Sequence, residues 1–405
     1  MIWGFARAQP IFWGMLSELL RWNGGIIAVP NGAKYSLQET LNVLMYAATS
    51  TNNSPESAAK ELRWKNPKAA IPSADTALGY IKSANSVEGI LSFFRALNSR
   101  FLPLLKIPDT PQDFAIDFHN EGYYGDKNAE GVRGIQPKNG TSWGHVYFTI
   151  DWLGSPAHTL DIVNVTGLNK DYAALVKGVV LRLQAMELRS GTIFADREFF
   201  NLAVISTCAE LGVEFIMAAK IDKRINKLLK QHKEGQGREA AIFKYRFLDE
   251  QSPDFYLVAI PNREYDPRKR AGSDNKEFLL FATSIAIDSP EEFVKRVPQS
   301  YRARWKIETG YRVKKDFKIR TCTRSYVARV LFFVVQCIMH NFLNLLKRIL
   351  RITAHQLKTR IVEDLERYLR RGGFRRKLSL RAFYQKITHY NQQRALELWA
   401  RLAET

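Results

Sequence analysis

The sequence predicts an α/β protein: a mixed sheet flanked by helices, with a β-rich insertion and a helical N-terminal domain. Three observations predict it. Short apolar strand patterns at Phe114–Phe118, His145–Ile150 and Thr159–Val165 follow one another directly. Beyond them strands and helices alternate, with a helix over Asp171–Arg189, a strand over Thr192–Ala195, a helix over Leu202–Leu211 and a strand over Phe215–Ala219. Ahead of Asp113 every periodic segment is helical.

The helical part is read from its caps. Ser36-Leu-Gln-Glu39 fits a capping box and opens a helix through about Thr49. Ser54-Pro55 supplies an N-cap followed by proline at the first helical position, leading into Ala58–Trp64. Ser73 opens a third helix to about Ser83, and Val87–Leu97 reads as a fourth. Two short helices with a tight connection resemble a helix-turn-helix reader of DNA, a pattern also common in ordinary helical domains.

Within the α/β part, Asp151-Trp-Leu-Gly-Ser-Pro reads as a turn between strands. Lys220–Lys233 is a basic amphipathic helix, and Ile242–Phe247, Phe255–Ile260 and Phe278–Thr283 are strands around a charged loop at Asn262–Asn275. Ser300–Lys318 reads as one long helix. The expected divisions are residues 1–110 (helical), 111–220 with 299–350 (α/β core), 221–298 (β-rich insertion) and 351–405 (basic and helical), the last carrying the arginines of 370–376.

Composition narrows the partners. The chain has 405 residues, 46% of them hydrophobic, enough to build a core and to exclude general disorder. Sixty Lys plus Arg against 40 Asp plus Glu give a net charge of +20, a surface that attracts polyanions. Nucleic acid leads as partner, ahead of a membrane surface. Cys208, Cys322 and Cys337 have no Cys-x-x-Cys spacing and read as free thiols of a reducing cytoplasm. Met1–Leu20 lacks the basic start and clean apolar core of a secretory signal. Val330–Leu346 is apolar, but Arg329, Gln336, His340, Asn344 and Lys347 form a polar stripe along it, so it reads as a core helix rather than a membrane span.

Chemistry gathers on three acids. Asp117 ends the strand pattern Phe-Ala-Ile-Asp, and Asp196 follows Ile-Phe-Ala in the same way. Carboxylates among buried residues are costly unless they meet a cation, and strand ends of α/β sheets are where ligands gather. The third acid, Glu308, stands in Tyr301-Arg-Ala-Arg304-Trp-Lys-Ile-Glu308 with Lys315 seven residues on. On one helix Tyr301, Arg304, Glu308 and Lys315 fall within a sector of roughly 60°. Residues 301–320 hold eight Lys or Arg and only two acids, as a site that holds a phosphate chain beside a metal-ligating carboxylate requires. The alternative is a solvated basic helix with Glu308 paired to Arg304 or Arg312.

The spacing Tyr-x2-Arg-x3-Glu-x6-Lys resembles the signature of the insertion-sequence transposases of family four, whose catalytic core is ribonuclease-H-like, and the resemblance spans about Phe114–Leu350. It implies that Asp117, Asp196 and Glu308 are catalytic and bind two divalent cations, Mg2+ or Mn2+. It implies that Tyr301, Arg304 and Lys315, with the neighbouring Arg312 and Lys314, contact DNA. It further implies a cytoplasmic, nucleoid-associated prokaryotic protein acting on double-stranded DNA, both transposon ends and target, as a homodimer in a synaptic complex and without a membrane. Phe199 resembles the aromatic often found near the second aspartate. His119 departs from the pattern, since relatives often carry a small hydroxyl residue there. The insertion has no tryptophan to stand beside a flipped base, a place that Tyr245, Phe247 or Tyr256 would have to fill. Two other readings stay open: a non-catalytic DNA-binding regulator, and a structure-selective nuclease of the same fold.

Overall fold

The computed structural model describes residues 28–51, 53–166, 171–268, 276–350 and 352–371. The N-terminal segment weighed as a signal, part of the charged loop after Asn262 and the arginine run beyond Arg371 lie outside the described residues.

The caps act as the sequence requires. Helix α1 (Leu37–Thr49) opens on a complete Ser36–Glu39 capping box, α2 (Pro55–Lys65) on Ser54 with proline at its start, and α3 (Ala74–Ala84) on Ser73. Helix α4 runs further than its apolar period suggested, over Val87–Leu105, with Pro103 inside its last turn. Residues Thr40 to Thr49 of α1 are all buried, so this helix is enclosed on every side. The exposed residues of α3 are Asp75, Gly79, Lys82 and Ser83, a face without the excess of positive charge that phosphate contacts need.

Among the described residues, one nine-stranded sheet runs through the molecule. Its strands are β1 (Gln112–Gly122), β2 (Arg133–Lys138), β3 (Thr141–Trp152), β4 (His158–Val165), β5 (Ser190–Ala195), β6 (Glu214–Ala218), β7 (Ala241–Tyr245), β8 (Phe255–Pro261) and β9 (Phe278–Thr283). They lie in the order β2-β3-β1-β5-β6-β9-β8-β7, with β4 also on β3. β1, β5 and β6 are parallel neighbours, and β3 is antiparallel to β1. This is a ribonuclease-H-like sheet. The segment between β6 and Pro290 lengthens it, because β9 pairs antiparallel with β6 and carries β8 and β7 outward.

Two details differ from the sequence reading. Asp151 belongs to β3 instead of a turn, paired with Ala115 across β1. β2 was not foreseen; it forms a hairpin with β3 through Asn139-Gly140, whose φ values of 51° and 83° are left-handed. Asn-Gly is the dipeptide such a two-residue turn demands.

Side-chain alternation divides the core. Phe114, Ile116, Ile193, Ala195, Phe215 and Met217 join the larger apolar cluster. Ala115, Phe194 and Ile216 point to the other face, against Phe293, Val297 and Ile307. Helices α5 (Tyr172–Ala185), α6 (Leu202–Glu210) and α7 (Lys223–Gln236) link the strands. Among the described residues the remaining helices are α8 (Pro290–Tyr301), α9 (Trp305–Lys314), α10 (Tyr326–Leu350) and α11 (Ala354–Arg371).

Helix α10 is the apolar segment weighed as a span, and 89% of its most hydropathic window is buried inside the protein. Its polar residues dock it. Asn341 accepts from the Thr159 backbone N–H at 2.9 Å and donates to the Thr159 carbonyl at 2.7 Å. Asn344 donates to the Ala157 carbonyl at 2.7 Å, and Gln336 to Glu121 at 3.3 Å. Asn341 thus pairs both backbone groups of Thr159 on the edge strand β4, which would otherwise be buried with fewer partners. Replacing Asn341 by Leu keeps the volume and strands the Thr159 N–H; the expected loss is about 1–3 kcal/mol in urea-unfolding free energy. Unchanged stability would show that this pairing does not dock the helix.

A candidate active site at the end of the central strands

Register places the first two acids. Ile116 on β1 pairs with Ala195 on the parallel β5, so Asp117 and Asp196 come next in line on adjacent strands, about 4.8 Å apart in strand spacing. β1 continues past this level to Gly122, so Asp117 lies within its strand instead of ending it. Alternation then aims both acids. They follow Ala115 and Phe194 by two residues, and those two face the cluster formed by α8 and α9.

Glu308 comes from that cover. The long helix expected over Ser300–Lys318 begins earlier, at Pro290, and tightens into short 3-10 turns at Arg302–Arg304 and Lys315–Phe317. In a 3-10 turn residues three apart eclipse. Tyr301 and Arg304 are therefore stacked, the guanidinium 5.4 Å from the ring centre. One α-turn later Glu308 stands beside Arg304, which donates to it through Nη2. Through Nη1, Arg304 also donates to Asp117 Oδ2 at 3.4 Å. Its Nε is buried without an acceptor.

The electrostatics follow from crowding. Burial raises the Asp117 carboxyl from 3.8 to about 7; Arg304 opposes this, while the charges of Asp196 and Glu308 add to it. Asp196 is half-exposed and accepts from the Arg197 backbone N–H at 2.6 Å, capping a short turn. Burial likewise raises the Tyr301 hydroxyl to about 12.

Three carboxylates offer hard oxygen donors of the kind that Mg2+ or Mn2+ prefer. Among the described residues no three His, Cys, Asp or Glu side chains form a closed ligand cluster. Asp117 and Glu308 close instead on the Arg304 guanidinium. That single cation leaves excess negative charge at Asp117, so the donor set fits a divalent ion.

The remaining motif residues separate. Lys315 and Arg312 are exposed. Burial lowers the proton affinity of Lys315, with the nearby charges of Lys138 and Lys318 acting in the same direction. Lys314, expected at DNA, is instead buried at 1% exposure and pairs with Asp151 at 3.3 Å. Adjacent helix positions point about 100° apart, so one lysine enters the core and its neighbour leaves it. Phe199 lies on the opposite face of the sheet, stacked on Phe118 at 5.2 Å. His119 is packed between Tyr311 and Phe333, with its pKa lowered by burial. Tyr245 is buried too, so of the three aromatics weighed for a flipped base only Phe247 and Tyr256 keep partial exposure.

Sequence reading missed the struts beneath the acids. Tyr311 Oη donates to Thr149 Oγ1 at 2.6 Å, and Thr149 donates to Asp151 at 3.0 Å. Tyr311 Oη also lies 3.5 Å from the Asp117 carbonyl oxygen. Lys306 donates to the Leu153 carbonyl at 2.7 Å. Three residues of α9 are thereby fastened to β3 and its end. The only advance signal was Asp151 itself, an acid following an apolar strand as Asp117 and Asp196 do. Lys138 at the β2–β3 hairpin was also missed, for want of that hairpin.

Sheet order defines a ribonuclease-H-like fold, with Asp117 and Asp196 level where its central parallel strands align. The family model described as Transposase DDE domain matches residues 119–342, more than half of the chain, and the chain belongs to that family. Among solved structures it is similar to a piggyBac transposase synaptic complex with hairpin DNA, at 14% identity and a TM-score of 0.55. That similarity covers 92% of this chain and 82% of the other and shows a shared fold. No curated protein matches the sequence.

Because Asp117 binds its proton more tightly folded than unfolded, its contribution to stability is complete below 3.8 and is lost as pH rises through about 7. In EDTA, Asp117→Asn is therefore expected to gain melting temperature relative to wild type as pH rises from 4.5 to 7.5. Parallel pH curves for the two proteins would remove the assignment.

Proposed function

We propose that this DDE transposase binds the terminal inverted repeats of an insertion sequence and catalyses metal-dependent DNA strand cleavage and strand transfer. The observation that carries the reading is the meeting of Asp117, Asp196 and Glu308: two by parallel register, the third through Arg304. A single acid on a strand is commonplace; here two stand level on adjacent parallel strands and a third shares the Arg304 guanidinium with one of them.

Asp117, Asp196 and Glu308 would hold Mg2+ or Mn2+ as the pair of ions this chemistry uses in other enzymes, which would supply charge neutralisation at the phosphate and an activated oxygen nucleophile. The protein's own residues do the rest. Tyr311, Thr149, Asp151 and Lys314 fix α9 against β3, so Glu308 keeps its height above Asp117. Lys315, Arg312 and Lys138 present cations from two elements beside the cleft, to hold the DNA backbone. The exposed lysines of α7, Lys223, Lys227 and Lys230, extend the positive surface. In this reading residues 1–110 form a helical N-terminal domain that contributes to DNA binding, 351–405 a basic C-terminal region, and 221–298 a β-rich insertion. Joining two transposon ends requires a synaptic homodimer.

The direct test is cleavage of a labelled duplex carrying the element's own terminal repeat, in Mg2+, Mn2+ or EDTA. Cutting at the repeat boundary is expected to need metal and to fall more than about a hundredfold in Glu308→Ala, with binding retained. Specific binding without cutting in either metal points to a regulator; cutting that ignores the terminal sequence points to a structure-selective nuclease. Lys315→Ala is expected to lower the slope of log affinity against log salt by about 1, the signature of one lost phosphate contact. An unaltered slope takes Lys315 off the DNA.

A further inference from the structure

We propose that Arg304 is the resident cation of the acidic cleft: in the metal-free protein its guanidinium occupies Asp117 and Glu308, and a divalent ion must displace it to bind. This rests on the reading of those acids as metal ligands and adds a competitor already inside the site.

Geometry supports the assignment. Arg304 is 7% exposed, deeper than any role confined to a surface contact requires. Its Nη1 reaches Asp117 Oδ2 at 3.4 Å and its Nη2 reaches Glu308 Oε1, so one planar fork bridges acids from two elements. The 3-10 turn before it holds Tyr301 under the guanidinium, fixing the fork in this direction. The carboxylate oxygens it engages are the ones a metal needs. A guanidinium and a metal ion cannot both take the same lone pairs at full strength.

The exchange is unequal by design of charge. The fork brings one positive charge to a cleft with three carboxylates; a divalent ion brings two. Arg304 also leaves one donor, Nε, buried without an acceptor. No covalent bond changes; the step is displacement of one cation by another.

This role has a consequence opposite to that of a residue which merely positions the ligands. Removing a positioning residue weakens metal binding, whereas removing a competitor strengthens it. The experiment is calorimetric titration of Mn2+ into the full-length protein without DNA, comparing wild type, Arg304→Gln, Arg304→Lys and Asp117→Asn. Arg304→Gln is expected to bind Mn2+ about tenfold more tightly, the factor associated with one charge-assisted hydrogen bond. Arg304→Lys, which keeps the charge and loses the fork, is expected to fall between, and it carries the test if the glutamine variant does not fold. Equal or weaker affinity in both Arg304 variants overturns the proposal. If Asp117→Asn binds Mn2+ as wild type does, the acids are not the ligands, and the active-site reading falls together with this one.

Discussion

The acidic cleft depends on one backbone constraint, the parallel pairing of β1 with β5. Because Ile116 meets Ala195, the residues after them are level, and neither side chain needs a special rotamer to face its neighbour. A shift of one residue in that register would turn one aspartate to the opposite face of the sheet, into the apolar cluster around Phe118 and Phe199. The aromatic stack there and the helices α5 and α6 that close the parallel connections hold the register, so the far side of the sheet governs the chemistry of the near side.

The second constraint is how a charged helix is held on an apolar sheet. Lys314 and Asp151 are both nearly inaccessible, a pairing that replaces the solvation each has lost. Such pairs are often neutral in net stability, and their value is in fixing one arrangement. Thr149 and Tyr311 continue the pair to the backbone of Asp117, so α9 cannot slide without breaking several polar contacts in a dry environment. Two salt-bridge systems thus meet on one short helix: Lys314 with Asp151, which anchors it, and Glu308 with Arg304 of the preceding turn, where the carboxylate is partly exposed.

Much of this was legible in the sequence, and what was not has physical causes. The N-terminal caps were readable because Ser36–Glu39 and Ser54-Pro55 act within one turn of chain. The order of the core elements was readable because its strands and helices keep clean apolar periods. Strand β2 was missed because Gly134, Pro137 and the exposed residues around them carry no alternation, although Asn139-Gly140 marked the turn. The three acids were found by their strand and motif contexts, yet nothing local distinguishes Lys314 from Lys315; only the position of β3 decides which one is buried. Asp151 was taken for a turn because an acid followed by glycine and proline usually is one, and its lysine partner lies 163 residues away.

Helix α10 has a further consequence for how the chain reaches this state. Its partners β4 and α4 are complete by Val165, yet α10 begins only at Tyr326. At the roughly 5–20 residues per second of chain synthesis, that interval lasts on the order of ten seconds or more. Throughout it, the edge strand and the apolar face that α10 will cover have no native partner. A nascent chain of this protein is therefore vulnerable to aggregation over that interval, and its core closes only when α10 arrives.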